Sequence, residues 1–304
     1  MKNVINSRDI VKDLEDKGLV VDDSKQFNFY IKNFNYNTVI LNYSDVFYLD
    51  DNKKKYDPEA NSSHLIALYK FDHDLGNHIL RYILVIEKML NTNVAYEIIN
   101  EFHITDRCLF KINEKFIIQN ILPNFNSVET HLSPKLFIHS WIKYCSTNKI
   151  TKKYYNPNGR DEMARWENCP LDIMCLTWSF STTFSIFLAL TDRVRNRIVN
   201  NFRLYPSQLK GFSDFLKNVL NIRNLISHNY PIYNCEVKYQ SPELTEIYNS
   251  IFNTNINHIS VMNMVELIEY FAFNKTLVSN TKYYLKKMQV PEKFKVKIEQ
   301  KLSK

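Results

Sequence analysis

Residues 65–102 read LIALYKFDHDLGNHILRYILVIEKMLNTNVAYEIINEF, and this stretch carries the strongest helical pattern in the sequence. Apolar residues recur along it at the spacing of one helix face. They are Leu68, Leu75, Ile79, Tyr82, Ile83, Ile86, Leu90, Val94 and Ile98. The pattern predicts one long core helix, around which the rest of the chain is expected to pack.

Helices are also predicted on the N-terminal side of this stretch. Residues 8–17, RDIVKDLEDK, have a helical apolar pattern, and Gly18 stands where a C-terminal helix cap is expected. A second helix is predicted over Phe27, Tyr30, Ile31 and Phe34, which follow the spacing i, i+3, i+4 and i+7. The next stretch, NTVILNYSDVFYLDD (37–51), is compatible with either a strand or a loop.

Further helices are predicted on the C-terminal side. Residues 107–145 suggest two shorter helices, and the polar, turn-rich residues 147–168 suggest a mobile loop. A nearly all-apolar run after Pro170 predicts a buried helix pair. Another helix runs towards His228 and ends before Pro231, and two or three more are expected from residue 240 onward.

The fold class predicted from these patterns is therefore all-α. We expect an N-terminal helical extension packed on the core (1–60), a helical core (61–235) and a basic C-terminal helical extension (236–304). Composition fits a globular protein, with 45% hydrophobic and 23% charged residues. Only 4 Gly occur in 304 residues, which argues against a glycine-rich phosphate-binding loop.

Cysteine usage and hydropathy point to a cytoplasmic protein. The five Cys are odd in number and lack zinc-site spacing, so reduced thiols are expected. His73 and His78 have no nearby Cys or third His, so no metal site is predicted. The N-terminus lacks a signal-peptide pattern and no long apolar run occurs, so no membrane partner is expected.

The charge distribution favours a polyanionic partner without requiring one. The net charge is +7, and residues 282–304 hold eight Lys against two Glu. Lys286 and Lys287 in this segment are candidate RNA contacts, although a solvated lysine-rich helix explains the pattern equally well. Lys152, Lys153 and Tyr154 interleave basic and aromatic groups as single-strand RNA binders do, and a solvated loop is again the alternative.

Candidate catalytic residues lie in NIRNLISHNYPIYN (221–234). On a helix, Arg223 and His228 lie roughly 140° apart around the axis, whereas Asn224 and His228 share a face. Two copies of such a helix related by a two-fold axis can line one cleft. The bare Arg-x-x-x-x-His spacing is weakly specific, because chance supplies about 0.3 matches in such a chain.

This residue set suits RNA cleavage without a metal or cofactor. Histidine transfers protons near neutral pH, and the planar guanidinium of arginine can hold a phosphate. Attack by the ribose 2′-OH would leave a 2′,3′-cyclic phosphate and would spare DNA. The alternative is that His228 satisfies a helix-end carbonyl and Arg223 is a surface residue.

Several blocks of the sequence, in order, resemble the abortive-infection proteins of the AbiD/AbiF type, a bacterial HEPN group. These blocks are GLVVDD (18–23), YIKNFNY (30–36), ALYKFDHDL (67–75), RYILVIEKMLNTNVAYEI (81–98), TWSFSTTFSIF (177–187) and RNLISHNYPIYN (223–234). The last block is the most specific. One departure is Asn91, which stands where the family pattern has a basic residue.

The resemblance implies a HEPN-type helical bundle, a homodimer with a composite site, and a role in anti-phage defence. It gives Arg223 and His228 catalytic roles, with Asn224 supporting them. It also implies an RNA substrate and regulation by a bound small RNA. Two other interpretations remain open: a non-catalytic HEPN module that binds RNA or a partner protein, and a helical scaffold with no nucleic-acid role.

Overall fold

The computed structural model describes residues 7–50, 52, 55–112, 114–127 and 133–304. Within these residues the chain contains sixteen α-helices and no strand, so the predicted all-α class is confirmed. The helices are α1 (Ser7–Asp16), α2 (Ser24–Phe34), α3 (Tyr36–Val39), α4 (Ser62–Glu101), α5 (Glu114–Phe116), α6 (Pro134–Ser140), α7 (Lys149–Lys152), α8 (Glu162–Arg165), α9 (Leu171–Met174), α10 (Phe180–Ala189), α11 (Asp192–Asn201), α12 (Leu209–Ser227), α13 (Pro242–Phe252), α14 (Val261–Phe271), α15 (Leu277–Lys287) and α16 (Glu292–Leu302).

The chain divides into two compact units that are discontinuous in sequence. Unit 1 consists of Met1–Tyr82, Asn221–Lys238 and His258–Lys304, and unit 2 consists of Ile83–Leu220 and Tyr239–Asn257. The division predicted from the sequence, at residues 60 and 235, remains a prediction.

The first two helices of unit 1 begin and end at residues suited to their positions. Gly18 adopts φ +87°, and Leu19 donates its backbone N–H to the carbonyl of Leu14, which closes α1 at the predicted cap. The Asp23 carboxylate accepts the backbone N–H of Gln26 at 2.9 Å and so caps the start of α2.

Residues 37–51 were predicted to be strand or loop, and this prediction was wrong for residues 37–47. Helix α3 is followed by a 3-10 helix at Leu41–Phe47. The Asn35 side chain starts α3 by accepting the backbone N–H of Asn37 at 2.9 Å. The apolar residues that resembled a strand are buried on the inner side of these turns: Val39, Ile40, Tyr43, Val46 and Phe47.

Helix α4 agrees with the predicted long helix to within three residues at each end. Its first half contributes Leu65, Leu68, Leu75 and Ile79 to the buried core of unit 1. The C-terminal helix α16 joins the same core, with the rings of Phe294 and Phe47 4.8 Å apart between centroids. Four helices follow residue 240, rather than the two or three predicted.

Unit 2 is built around buried aromatic residues. The Trp178 indole N–H donates to the Trp141 carbonyl at 3.0 Å, and both side chains are buried. The largest fully buried side chains of this unit are Trp141, Trp166, Phe180, Phe187, Phe202, Phe212 and Phe215. The nearly all-apolar run after Pro170 forms α9, α10 and α11 rather than one helix pair.

The predicted mobile loop at 147–168 is instead held in unit 2 by helices α7 and α8. Thr151 is fully buried, and its hydroxyl donates to the Cys145 carbonyl at 2.5 Å. Trp166 is also buried and packs against the ring of Tyr155. The prediction was wrong because a few buried side chains, rather than an apolar stripe visible in the sequence, hold the segment.

Candidate functional site

The candidate catalytic segment ends helix α12 in a well-formed C-terminal cap. Asn229 adopts the left-handed conformation with φ +55° and donates its backbone N–H to the Ile226 carbonyl. Tyr230 donates its backbone N–H to the Leu225 carbonyl at 3.0 Å. These two bonds form a Schellman motif, in which asparagine replaces the more usual glycine. His228 is therefore fixed at the last turn of the helix.

The three predicted catalytic residues differ in exposure. His228 and Asn224 are exposed, whereas Arg223 is half-buried. The Arg223 guanidinium donates to the Asn224 side-chain oxygen at 3.4 Å, and the His228 backbone N–H donates to the Asn224 carbonyl at 3.1 Å. The supporting role of Asn224 remains a prediction.

The chain directly after the cap is held by a buried carboxylate, Asp72 of α4. Asp72 is 2% exposed and accepts the backbone N–H groups of Ile232, at 3.0 Å, and Tyr233, at 2.6 Å. The Tyr43 hydroxyl donates a third bond at 2.8 Å. We call this set of four residues the Asp72 anchor. It fixes the segment that leaves the candidate catalytic helix.

Burial governs the titration of this anchor. Desolvation raises the pKa of Asp72 to about 6, and the hydrogen bonds from Ile232 and Tyr233 oppose the shift. Burial likewise raises the pKa of the Tyr43 and Tyr233 hydroxyls, so both phenols remain protonated donors. At neutral pH the anchor is thus a mostly ionised carboxylate paired with three donors.

A second polar cluster lies around Asp45 and continues the anchor outward. The Tyr233 hydroxyl and the Asn234 amide both donate to the Asp45 carboxylate. Lys301 of α16 forms an ion pair with Asp45 at 2.7 Å and donates to the Asn234 side chain at 3.2 Å. The last helix of unit 1 therefore supports the same segment as Asp72.

His228 borders an open groove of about 860 Å³, which we call the His228 groove. The opposite lining comes from the end of α2 and the start of α3. Among the described residues, the lining consists of Ile10, Ile31, Lys32, Asn33, Phe34, Asn35, Tyr36, Asn37, Thr38, Tyr69, His228 and Asn229. Arg223 and Asn224 do not line this groove. Within one chain, the structure therefore brings His228, but not its two predicted partners, to the groove.

A scan against protein-family models matches residues 29–234 to a family described as Abi-like protein. The chain belongs to the Abi-like family. The match begins in α2 and ends at Asn234, so it includes the whole Asp72 anchor and the residues given above as lining the His228 groove, except Ile10. Searches of curated proteins and of solved structures found no significant match.

The predicted RNA-binding residues lie in two separate parts of this Abi-like chain. Lys152 and Lys153 are exposed in unit 2, with the Lys153 ammonium 5.0 Å above the ring of Tyr154. Lys286 and Lys287 are exposed in unit 1, beyond the part that matches the Abi-like family model. The Lys287 ammonium lies 4.6 Å above the ring of Tyr283. RNA contact by either pair remains a prediction.

Several other C-terminal lysines make contacts within unit 1. Lys293 forms ion pairs with Asp57 at 2.7 Å and Glu59 at 2.9 Å. Lys297 donates to the carbonyls of Val46 and Tyr48, both at 3.3 Å. With Lys301, these residues form a stripe at four-residue spacing that attaches α16 to its own unit. Much of the basic charge at the C-terminus is therefore used internally.

Asn91, the departure from the Abi-like pattern noted above, is a buried residue of unit 2. Its amide donates to the carbonyls of Cys175 and Trp178, both at 3.2 Å, and it accepts the Thr183 hydroxyl at 2.5 Å. With 7% of its surface exposed, it holds the chain ahead of α10 in place. The position has a structural role in this protein.

Other kinds of functional site lack support among the described residues. No group of three or more His, Cys, Asp or Glu side chains could hold a metal ion there. The described helices include none that is long and apolar enough to cross a membrane. Burial raises the pKa of the thiols of Cys145, Cys169, Cys175 and Cys235, which makes them poor nucleophiles.

Sequence reasoning missed the N-terminal half of the His228 groove and the role of Asp72. The block YIKNFNY was used to predict a helix and noted for its resemblance, but its aromatic and amide residues were not considered as a binding surface. No local signal could have paired Asp72 with Ile232, because 160 residues separate them. That pairing depends on tertiary structure alone.

Proposed function

We propose that this Abi-like protein is an endoribonuclease of the HEPN type that cleaves RNA in abortive-infection defence. The supporting observation is the placement of His228. Its imidazole is exposed beside a groove large enough for a nucleotide, at a helix end whose following segment is pinned by a buried carboxylate. Catalytic groups need such fixed supports, because small displacements reduce rates sharply.

In the proposed reaction the ribose 2′-oxygen attacks the adjacent phosphorus. The new O2′–P bond replaces the P–O5′ bond, a base accepts the 2′-OH proton, and an acid supplies a proton to the leaving 5′-oxygen. The products are a 2′,3′-cyclic phosphate and a 5′-OH. His228 is suited to these proton transfers, and the guanidinium of Arg223 is suited to the charge that builds on the phosphate.

The proposed active site is composite and uses two copies of the chain. Arg223 does not line the groove that His228 borders, and residues five apart on one helix point in different directions. A two-fold axis near the end of α12 would bring Arg223 from the second copy towards His228 from the first. The proposed reaction requires no metal. We also propose that a bound small RNA regulates the activity.

The first test compares wild type, Arg223→Ala and His228→Ala on total RNA and on single-stranded DNA in EDTA. We expect wild type to cut only RNA, leaving cyclic-phosphate ends, and each variant to be slower by roughly 100-fold or more. His258→Ala and Arg160→Ala are matched controls at exposed positions outside the groove and should retain activity. In infected cells, protection against phage should follow the same order.

Two outcomes would overturn the proposal. If wild type binds RNA but leaves it intact, the protein is a non-catalytic RNA-binding module. If cutting is lost in EDTA and returns with added metal, the chemistry differs from the one proposed. Nucleic acid that co-purifies with the wild type would be sequenced to test regulation by a small RNA.

Mixing the two inactive variants tests the composite site. A heterodimer of Arg223→Ala and His228→Ala contains one site with both groups intact, so random exchange should restore roughly a quarter of wild-type activity. A mixture as inactive as its components would show that each chain builds its own site.

A further inference from the structure

We infer that the His228 groove binds one unpaired nucleobase of the RNA, stacked on Phe34 and hydrogen-bonded by asparagine amides. This inference rests on the proposed function, because it places the bound base beside the phosphate that His228 would serve. It also makes the segment Lys32–Thr38 the part of the chain that selects the RNA.

The size of the groove fits a small planar group. Its volume of about 860 Å³ lies within the roughly 300–1,000 Å³ typical of sites for small ligands. It is an open groove, so the nucleotides on either side of the bound base can continue into solvent. A strand can therefore enter and leave without threading.

Phe34 provides a stacking surface that is already in position. Its side chain is 43% exposed, so part of the ring is accessible to a ligand. The ring is supported from below by Tyr30, at 5.4 Å between centroids, and by Tyr69, at 6.1 Å. Because these neighbours restrict the ring, stacking a base on it costs little additional conformational entropy.

Asparagine amides line the groove on both sides of this ring. Asn33 and Asn37 lie on the N-terminal segment, and Asn229 lies beside His228. All three are exposed. An amide offers both donors and an acceptor, which matches the edge of a nucleobase. In a duplex the pairing edges are already used, so these amides favour a base from a single strand.

The charge of the lining favours an anionic ligand. Lys32 is its one permanently charged side chain, among the described residues that line the groove. A second groove of unit 1, of about 390 Å³, has charges of both signs, from Asp23, Asp74, Lys70 and Lys287. Phosphate groups would meet repulsion from carboxylates in the second groove but not in the first. A substitution in the second groove can therefore serve as a control for substitutions in the His228 groove.

The test measures binding of a fluorescent 2′-O-methyl oligonucleotide, which cannot undergo 2′-OH attack. Fluorescence anisotropy is recorded for the single strand and for its duplex, with wild type, Phe34→Leu and Asn37→Ala. Phe116→Leu is the matched control for the ring, because Phe116 is 40% exposed and does not line the groove. Gln26→Ala, in the second groove, is the control for the amide.

We expect wild type to prefer the single strand and Phe34→Leu to bind it roughly 5-fold or more weakly, the loss expected for one base stack. Asn37→Ala should change the order of preference among oligonucleotides of A, C or U, while both controls bind as wild type does. Equal binding by Phe34→Leu and Phe116→Leu, or no saturable binding by wild type, would overturn the inference. Binding that depends on Phe34 without any RNA cleavage would instead retain the inference and remove the nuclease.

Discussion

Two of the buried polar residues of helix α4, Asp72 and Asn91, hold distant segments by similar means. Asp72, in unit 1, accepts two backbone N–H groups and a phenol, whereas Asn91, in unit 2, donates to two carbonyls and accepts one hydroxyl. Each makes three or more hydrogen bonds and is nearly inaccessible to solvent. The same helix therefore uses a carboxylate in one unit and an amide in the other.

The hydrogen-bond partners of the two residues explain why one position holds a carboxylate and the other an amide. Two N–H groups and a hydroxyl donor require an acceptor, which a carboxylate supplies, whereas a mixture of carbonyls and a hydroxyl requires an amide. A buried carboxylate brings a titration with it, and a buried amide does not. The segment next to His228 is consequently held by a charge, while the segment before α10 is held by a neutral group.

The largest effect is expected from removing the acceptor altogether. Asp72→Ala leaves two buried N–H groups and a buried phenol unpaired, so it should lower the free energy of unfolding by about 3 kcal/mol or more. Asn91→Ala should lower it by about 2 kcal/mol. Urea unfolding measures both. A larger loss of unfolding free energy for Asn91→Ala than for Asp72→Ala would contradict this expectation.

The same two variants should differ in activity at equal fraction folded. Because Asp72 holds the segment that follows His228, Asp72→Ala should reduce RNA cleavage in molecules that remain folded. Asn91→Ala should cut as wild type does once its lower stability is taken into account. Equal specific activities would mean that Asp72 contributes to stability alone.

A pH dependence is expected of Asp72 and not of Asn91. Burial raises the pKa of Asp72 from 3.8 to about 6, so between these values the folded protein binds a proton that the unfolded chain does not. The resulting stabilisation is fully present below pH 3.8 and is lost as the pH rises through 6, a change on the order of 3 kcal/mol. Unfolding of Asp72→Asn should lack this term, whereas Asn91→Ala should retain it. Parallel profiles for wild type and Asp72→Asn would contradict the assignment.

Tyr43→Phe removes one hydrogen-bond donor from the Asp72 anchor. It should lower stability by about 1 kcal/mol, the usual loss for one hydrogen bond. Since the Tyr43 hydroxyl lowers the pKa of Asp72, its removal should also raise that pKa further. Carboxyl titration followed by NMR would measure the shift, and an unchanged value would show that the bond is weak.

The smallest effect is expected at the outer end of the same network. Lys301 is 25% and Asp45 18% exposed in their ion pair, so solvent screens the attraction. Lys301→Ala should lower stability by less than about 1 kcal/mol, and the loss should shrink in high salt. A loss comparable to that of Asp72→Ala would move the main support of the segment from α4 to α16.

The sequence predicted those elements whose signal is local and periodic. The long helix, the cap at Gly18 and the helix ahead of Pro231 all follow from patterns within a few turns. The prediction for residues 37–47 was wrong because a short apolar run is compatible with several structures. The side chain of Asn35, which caps the start of α3, favours the helix. The prediction of a mobile loop at 147–168 was wrong because Thr151 and Trp166 are buried although their neighbours in sequence are polar.

Of the candidate site, the sequence predicted only the residues at the end of helix α12. Spacing and residue chemistry singled out Arg223, Asn224 and His228, because the three occupy one short stretch. The facing side of the groove, around Phe34, and the support from Asp72 are about 190 and 160 residues away in sequence, so their contribution depends on how unit 1 packs. Their roles in RNA binding and cleavage remain predictions.

The discontinuity of unit 1 has a consequence for the time at which the protein acquires its candidate site. Its parts come from the beginning, the middle and the last 47 residues of the 304-residue chain. The ribosome must therefore release the chain as far as Tyr233 before Asp72 can bind the segment after His228, and as far as Lys301 before Asp45 can form its ion pair. The residues that line the His228 groove all lie between Ile10 and Asn229, so the groove can form before the support from Lys301 is added.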